Sequence, residues 1–149
     1  MTLENLRNLA KIGELNEEPA DQNEFDGLLR SGADLLNDVI NSKLSESGRF
    51  DLAYNAAHAL ALAALRFQGY RSGKRYMVFQ CLTHTVGLDK AKTRILILCH
   101  DKRNLAAYRG RFEVAPQLTE ELIEITSGLL TLVEKLGPIK QDRSGADHV

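Results

Sequence analysis

The sequence predicts an all-α protein, an antiparallel bundle of four to six helices joined by short connections. Leucine, isoleucine and alanine recur every three or four residues along most of the chain, and no stretch alternates with the period of a β-strand. Aromatic residues make up only 6% of the sequence and tryptophan is absent, so we expect a core of aliphatic side chains on closely packed helices. We predict a single domain over residues 1–137 and a flexible C-terminal tail over residues 138–149.

The first two helices are predicted from apolar spacing and from a capping pattern. Apolar residues at helical spacing over residues 3–10 predict a short helix that ends near Gly13. A polar link follows over residues 14–20. Asp21, with Glu24 three residues later, is typical of a helix N-terminus, so the second helix is predicted to begin there.

The third helix is predicted to lie at the centre of the bundle. A break over residues 45–48 precedes it, and the helix itself is expected over residues 49–68. Between Ala56 and Leu65, alanine and leucine occupy nearly its whole circumference. A helix that is apolar on every side is covered by neighbours on several sides. His58 of this helix is expected to be a hydrogen-bonded core histidine.

Three further helices are predicted in the second half of the chain. A loop rich in arginine, serine and glycine over residues 69–75 leads to a fourth helix over residues 76–86. A fifth helix over residues 89–108 is apolar in its first half and polar in its second. Pro116 begins the approach to a sixth helix, whose apolar stripe runs from residue 118 to residue 136.

The charge is unevenly distributed along the chain. The whole sequence has a net charge of -1, but residues 66–111 contain 11 basic and 2 acidic side chains, a net of +9. Residues 1–65 have a net of -6, and residues 112–149 have a net of -4. A basic middle segment favours a polyanionic partner such as a nucleic acid. The alternative is that these charges scatter over several faces or pair with the acidic flanks.

Several classes of protein are disfavoured. Residues 1–13 do not resemble a signal peptide, and the longest apolar run, residues 95–99, is too short to cross a bilayer, so we expect a cytoplasmic protein without membrane contact. Cys81 and Cys99 are too few for a disulfide framework and are expected to be reduced and buried. We expect no metal and no cofactor, since Cys99 and His100 would diverge by about 100° on a helix.

The polar half of the fifth helix is the first candidate site. His100, Asn104 and Tyr108 are spaced by four residues and share a helical face, and Arg103 lies beside His100. Arginine can bind phosphate through two parallel hydrogen bonds, and histidine transfers protons near neutral pH. These four residues are therefore candidate catalytic residues at a phosphodiester. A solvated helix end, with Tyr108 packed on the core, is the alternative.

The loop before the fourth helix is the second candidate. Arg71, Lys74 and Arg75 alternate with tyrosines there, and together with Lys102 and Arg109 they are candidate nucleic-acid-binding residues. The glycine spacing of this loop is not that of a phosphate-binding P-loop. The alternative is a solvated loop whose tyrosines pack at its ends.

Two short motifs and the order of the helices resemble those of the HEPN domain family. The motifs are Tyr54-Asn55-Ala56-Ala57 and Arg103-Asn104-x-x-x-Tyr108, and the similarity covers residues 21–136. Active HEPN proteins are metal-independent ribonucleases with a composite site across a homodimer. The resemblance implies that Arg103 binds phosphate and that Asn104 is its polar neighbour. Tyr108 stands where the family has its histidine, and His100 precedes the arginine.

The resemblance implies a HEPN-like protein that binds a nucleic acid or nucleotide and has a degenerate, metal-independent ribonuclease site. It also implies a homodimer within a toxin–antitoxin or defence system, with RNA or a nucleotide as ligand and a nucleotidyltransferase or antitoxin as partner. The alternative is a non-catalytic structural or partner-binding helical module. Whether cleavage persists without a histidine after Arg103 is left open.

Overall fold

The computed structural model describes residues 2–140 and confirms a mostly helical protein whose helices pack together. Part of the predicted tail, residues 141–149, lies outside the described residues. The helices are α1 (Thr2–Lys11), α2 (Gln22–Asn41), α3 (Glu46–Phe67), α4 (Arg75–Gln80), α5 (Leu82–Thr85), α6 (Lys90–Arg109) and α7 (Pro116–Glu134), and the strands are β1 (Asn16–Glu17) and β2 (Tyr70–Arg71). No helix in the described part of the chain is both long and apolar enough to span a membrane.

Helix α3 lies at the centre of the bundle, as its apolar circumference predicted. Helices α2 and α7 form its most extensive contacts, and α4, α5 and α6 also pack against it. The contact with α2 is close at Gly32, where an added Cβ atom would lie 2.6 Å from two carbon atoms of the Leu60 side chain. Any larger residue at this position would therefore push α2 away from α3.

The predicted N-terminal cap of α2 is confirmed, whereas the predicted start of α3 is wrong by one turn. The Glu24 N–H donates to the Asp21 carboxylate over 2.9 Å. Residues 45–48 do not form a break. The Ser45 hydroxyl accepts from the Gly48 N–H over 3.0 Å, so Ser45 is the cap and α3 begins at Glu46. Serine satisfies free amide groups at a helix start.

A short antiparallel strand pair corrects the expectation that the chain has no strands. Strands β1 and β2 pair with Asn16 opposite Arg71 and Glu17 opposite Tyr70. They lie in the segments predicted as a polar link and as a loop. Two residues per strand are too few to show an alternating apolar pattern, and the pairing is supported instead by charged side chains around Arg66.

The Arg66 guanidinium is almost completely buried, with 1% of the residue exposed, and it joins four segments of chain. Its Nε donates to the Glu24 carboxylate over 2.7 Å. Its two Nη atoms donate to the main-chain carbonyls of Glu18 (2.8 Å) and Pro19 (2.6 Å). A longer contact of 3.4 Å reaches the Tyr70 carbonyl. The C-terminus of α3 is thereby tied to the N-terminus of α2 and to both strands.

The second half of the chain agrees with the predicted boundaries except at one position. The predicted fourth helix is divided into α4 and α5 at Cys81, where the His84 N–H bonds the Cys81 carbonyl in a tighter, three-residue turn. Helix α6 ends at Gly110, whose φ of 73° favours glycine. Cys81 and Cys99 are both buried and free, as predicted.

We expect Arg66→Met to lower the free energy of unfolding by about 3 kcal/mol, because it leaves one oxygen of the Glu24 carboxylate and three carbonyls without the donor that Arg66 provides. Urea denaturation followed by circular dichroism measures the change. Arg49→Met is the matched control. It removes an exposed ion pair with Glu120 and should cost about 1 kcal/mol or less. Equal losses in the two variants would contradict a special role for Arg66.

Candidate functional site

Helices α3, α4 and α6 meet at the side chain of Tyr54. Tyr54 is fully buried, and its ring packs edge-on against Phe79 of α4 with 5.7 Å between ring centroids. Its hydroxyl lies 2.9 Å from Nδ1 of His100 on α6. Burial raises the pKa of the Tyr54 phenol, so the hydroxyl keeps its proton at neutral pH. Tyr54 therefore links His100 to the central helix through a neutral hydrogen bond.

Two arginines from different helices approach the same tyrosine ring. The guanidinium carbon of Arg103 lies 5.0 Å from the Tyr54 ring centroid, and that of Arg75 lies 5.6 Å from it. Arg75 also donates to the Asn55 amide oxygen over 3.3 Å. Within residues 2–140, no carboxylate lies within 4.0 Å of either guanidinium. Both are half-buried, so two positive charges meet without a compensating anion.

His100 is held by hydrogen bonds at both ring nitrogens. The Asn104 amide nitrogen lies 3.2 Å from Nε2. An amide nitrogen only donates, so Nε2 accepts this bond and Nδ1 carries the proton that it donates to Tyr54. Burial lowers the pKa of His100, and the charges of Arg103 and Arg75 lower it further, against an opposing effect of Asp101. At neutral pH the imidazole is thus neutral, with Nε2 as its basic atom.

His58 lies one turn after Tyr54 on α3. Its ring is half-buried and packs edge-on against Phe79, with 5.9 Å between centroids. Burial lowers the pKa of His58 to about 4, and the nearby charges of Arg75, Arg103 and His100 act in the same direction. His58 is therefore neutral at physiological pH. The prediction of a buried, hydrogen-bonded core histidine is wrong, because the ring is half-buried, lies near charged groups and makes no side-chain hydrogen bond within residues 2–140.

These side chains form one group, the Tyr54 cluster, which consists of Tyr54, Asn55, His58, Arg75, His100, Arg103 and Asn104. Two guanidiniums provide several N–H donors, and His100 provides a proton acceptor beside them. Buried or half-buried positive charges without anions favour an anionic ligand. The guanidinium of arginine is planar and can donate two parallel, charge-assisted hydrogen bonds, a geometry that matches two phosphate oxygens. The cluster is thus chemically suited to hold a phosphate group next to a neutral imidazole.

Three of the four candidate catalytic residues are close together, and the fourth lies apart. His100, Arg103 and Asn104 belong to the Tyr54 cluster. Tyr108 is 89% exposed on the outer face of α6 and does not pack on the core. The predicted stripe on α6 is therefore correct for His100 and Asn104 and does not extend to Tyr108.

Of the three basic residues in the second candidate, only Arg75 belongs to the cluster. Arg71 instead donates to both carboxylate oxygens of Glu18 (3.0 and 2.9 Å) and also to Glu24. These hydrogen bonds lower the pKa of the Glu18 carboxyl and raise that of the Arg71 guanidinium. Arg71 thus supports the strand pair around Arg66.

The remaining basic candidates also lie outside the cluster. Lys74 is exposed, with its Nζ 3.6 Å from a Glu14 carboxylate oxygen. Arg109 pairs with Glu113 one turn later, over 3.4 Å. Lys102 is half-buried on α6, and no hydrogen bond or ion pair within residues 2–140 joins it to the cluster. The positive charge of residues 66–111 is therefore divided among several surfaces, while Arg75 and Arg103 approach the same tyrosine ring.

Tyr54, Asn55 and His58 are the site residues that sequence reasoning did not select, although a signal for them existed. Tyr54 and His58 are spaced by four and share one face, and between residues 52 and 65 every other side chain except Asn55 is apolar. Asn55 lies next to them in the motif that carries the family resemblance. A polar stripe on an otherwise buried helix indicates a hydrogen-bonded site inside the bundle.

The described residues contain no group of three or more histidine, cysteine or acidic side chains arranged to hold a metal ion. Burial raises the pKa of Cys81 to about 11 and that of Cys99 to about 12, so both thiols are protonated and poor ligands. Comparison of the chain with family models, curated proteins and solved structures finds no match. The chemistry of the Tyr54 cluster is therefore the basis for inferring a function.

We expect the low pKa of His58 to make the fold sensitive to acid. Between pH 6.5 and pH 4 the unfolded chain binds a proton at residue 58 that the folded chain does not, so stability is present above pH 6.5 and falls below it. From pH 6.5 to pH 5 this loss amounts to about 2 kcal/mol. Urea denaturation at both pH values should show wild type losing that much more than His58→Gln. Equal losses would contradict a half-buried His58 that stays neutral at pH 5.

Proposed function

We propose that this chain binds the phosphodiester backbone of single-stranded RNA at the Tyr54 cluster, and that His100 gives it a slow, metal-independent ribonuclease activity. One observation carries the proposal. Arg75 and Arg103, from two helices, approach one buried tyrosine ring beside a neutral imidazole, and no carboxylate between residues 2 and 140 neutralises them.

The two arginines are suited to bind one phosphate together. A cation–π contact engages the face of a guanidinium, so the N–H groups at its edge stay free for an anion. Arg75 already donates one of them to Asn55, which fixes the orientation of the side chain. A phosphate between the two guanidiniums relieves their mutual repulsion, and the half-buried position strengthens the attraction relative to bulk water.

His100 is suited to accept a proton from the ribose. The ribose 2′-hydroxyl displaces the Asn104 amide from Nε2. Nε2 then accepts the hydroxyl proton, the 2′-oxygen bonds to phosphorus, and the bond from phosphorus to the 5′-oxygen of the next nucleotide breaks. The products are a 2′,3′-cyclic phosphate and a 5′-hydroxyl. The leaving oxygen needs a proton, and His58 cannot supply it at neutral pH because its pKa is held at about 4. Water supplies this proton instead, and the hydroxide that remains takes up the proton held by His100, so we expect slow cleavage.

The proposal extends to what the resemblance to HEPN domains implies. We propose a toxin–antitoxin or defence role, a homodimer, and a nucleotidyltransferase or antitoxin as partner. Tyr108, Leu98 and Leu105 are exposed on α6, where a second copy of the chain can cover them. In such a homodimer the exposed Tyr108 would approach the partner copy and not its own Arg103.

The same exposed residues favour the second candidate function, a non-catalytic module that binds a protein partner through α6. This alternative assigns no role to the uncompensated charges of Arg75 and Arg103. The two functions therefore differ in how strongly RNA binding depends on those two side chains.

We expect Arg103→Ala and Arg75→Ala each to weaken binding of RNA roughly 10- to 100-fold, the contribution of a charged hydrogen-bonding pair. Fluorescence anisotropy in EDTA measures this with a labelled oligouridine of about ten nucleotides. The oligonucleotide carries 2′-fluoro groups so that it cannot be cleaved.

The matched control is Arg30→Ala, which removes an exposed arginine of α2 outside the cluster. It should change affinity only by the small amount expected for one distant charge, and that change should vanish at higher salt. If all three arginine variants lose the same affinity, binding is a property of overall charge, and the protein-binding module becomes the better hypothesis.

We expect unmodified RNA to be cleaved slowly in EDTA and His100→Gln to reduce the rate by about 10²- to 10⁴-fold. At RNA concentrations well below saturation, where the rate reports the free protein, the rate should rise with pH until His100 is fully neutral, at a pH below the usual range for histidine because its pKa is lowered. Mass spectrometry of the products identifies the cyclic-phosphate ends.

His84→Gln is the control for cleavage, since His84 pairs with Asn5 on another face of the protein. Cleavage that persists in His100→Gln, or that depends on added metal, would exclude His100 as the base. RNA binding without cleavage in the wild type would leave the phosphate site and remove the ribonuclease part of the proposal.

A further inference from the structure

A cavity of about 350 Å³ adjoins the Tyr54 cluster at the N-terminal end of α3. Arg103 lies in its wall and belongs to the cluster as well. The other side chains that matter are Phe50 and Asp51 of α3 and Phe112, which follows α6. The volume is at the lower end of the range of small-molecule sites in proteins. A ligand in this cavity would lie next to a phosphate bound at Arg103.

Aromatic rings connect the cavity to the cluster. Phe112 and Phe50 pack with 5.8 Å between centroids and an interplanar angle of 60°, and Phe50 stacks toward Tyr54 at 6.3 Å and 17°. Phe50 is fully buried, whereas Phe112 is half-buried and lines the cavity. The exposed part of Phe112 therefore offers an aromatic surface on which a flat ring can stack.

Asp51 places a carboxylate in the wall of the cavity. It is exposed, and no ion pair in the described part of the chain engages its carboxylate. Arg111, which also lines the cavity, is paired with Glu113 over 3.4 Å. An ionised carboxylate only accepts hydrogen bonds. The cavity thus combines a stacking surface with an acceptor that has two free oxygens.

We propose that this cavity is a base-binding subsite that prefers guanine, with Phe112 stacking on the base and Asp51 accepting from its N1–H and N2–H groups. Guanine presents these two donors side by side, which matches the two oxygens of a carboxylate. Adenine and cytosine present an amino group beside an unprotonated ring nitrogen, and uracil presents one N–H between two carbonyls. Each of these bases would place an acceptor against the carboxylate.

This inference rests on the proposed function, since Arg103 must hold the phosphate of the nucleotide whose base enters the cavity. Phosphate contacts position a nucleic acid, and base contacts provide specificity. In the proposed complex the Tyr54 cluster contacts the phosphate and the ribose, which carry no information about the base. The cavity at its edge would make the site prefer strands with an accessible guanine.

The test compares three 2′-fluoro oligonucleotides of about ten nucleotides in EDTA: oligouridine, the same strand with one central guanine, and the same strand with inosine at that position. Inosine lacks only the N2 amino group. We expect wild type to bind the guanine strand about tenfold more tightly than oligouridine, the lower range for a bidentate base contact because Asp51 is exposed. The inosine strand should lose most of this preference.

Asp51→Asn should bring the guanine-to-uridine affinity ratio to about one, since an amide offers one acceptor and a donor in place of two acceptors. Asp34→Asn, at an exposed position of α2, removes the same charge and should keep the ratio. Phe112→Leu should weaken binding of every strand by loss of stacking, by roughly tenfold. Melting temperatures of the variants report whether each of them is folded.

The outcomes separate the two proposals. Binding that depends on Arg103 but shows no guanine preference, or a preference that survives Asp51→Asn, overturns the guanine subsite and leaves the phosphate site intact. Absence of RNA binding, or binding unaffected by Arg103→Ala, overturns the proposed function and the subsite with it.

Discussion

The buried guanidinium of Arg66 is the interaction on which the arrangement of the chain depends. A buried charge is tolerated only when it is fully hydrogen-bonded, and its partners come from segments far apart in sequence. Glu24 and two main-chain carbonyls of the link before α2 must reach it, so that link folds back over the end of α3 and pairs with β2. Helix α4 begins just after this pairing and carries Arg75 to Tyr54. The structural charge of Arg66 thereby positions one of the two arginines of the site.

The parts of the fold that could be predicted are those determined within a single helix. Apolar spacing and caps place α2, α6 and α7, and the alanine-rich circumference of α3 indicates its central position. The strand pair could not be predicted because it joins segments distant in sequence, and the division at Cys81 could not be predicted because no glycine or proline marks it. Arg66 shows the same dependence on distant groups. From the sequence alone, an arginine at the end of an apolar helix is expected to be solvated, and its burial depends on partners that lie far away along the chain.

The candidate site, like the fold, could be predicted only where its residues lie on one helix. His100, Arg103 and Asn104 are one turn apart on one helix, so spacing alone predicts their proximity. Arg103 and Tyr108 are five residues apart, about 140° around the helix, which places the tyrosine on the outer face. Tyr54 and His58 come from α3, and no spacing rule joins residues on different helices. The resemblance to HEPN motifs includes Tyr54, but it does not indicate that two arginines approach the ring of this side chain.

The charges of the Tyr54 cluster couple anion binding to proton uptake. Burial lowers the pKa of His100, and Arg103 and Arg75 lower it further, so the imidazole is a weak base while the site holds no anion. A phosphate between the guanidiniums cancels much of their field at Nε2 and raises the proton affinity of that atom. By linkage, a proton on His100 strengthens phosphate binding by the same factor. Burial and the two arginines thus hold the imidazole neutral, and in the proposed complex a phosphate would make it a stronger base beside the ribose hydroxyl.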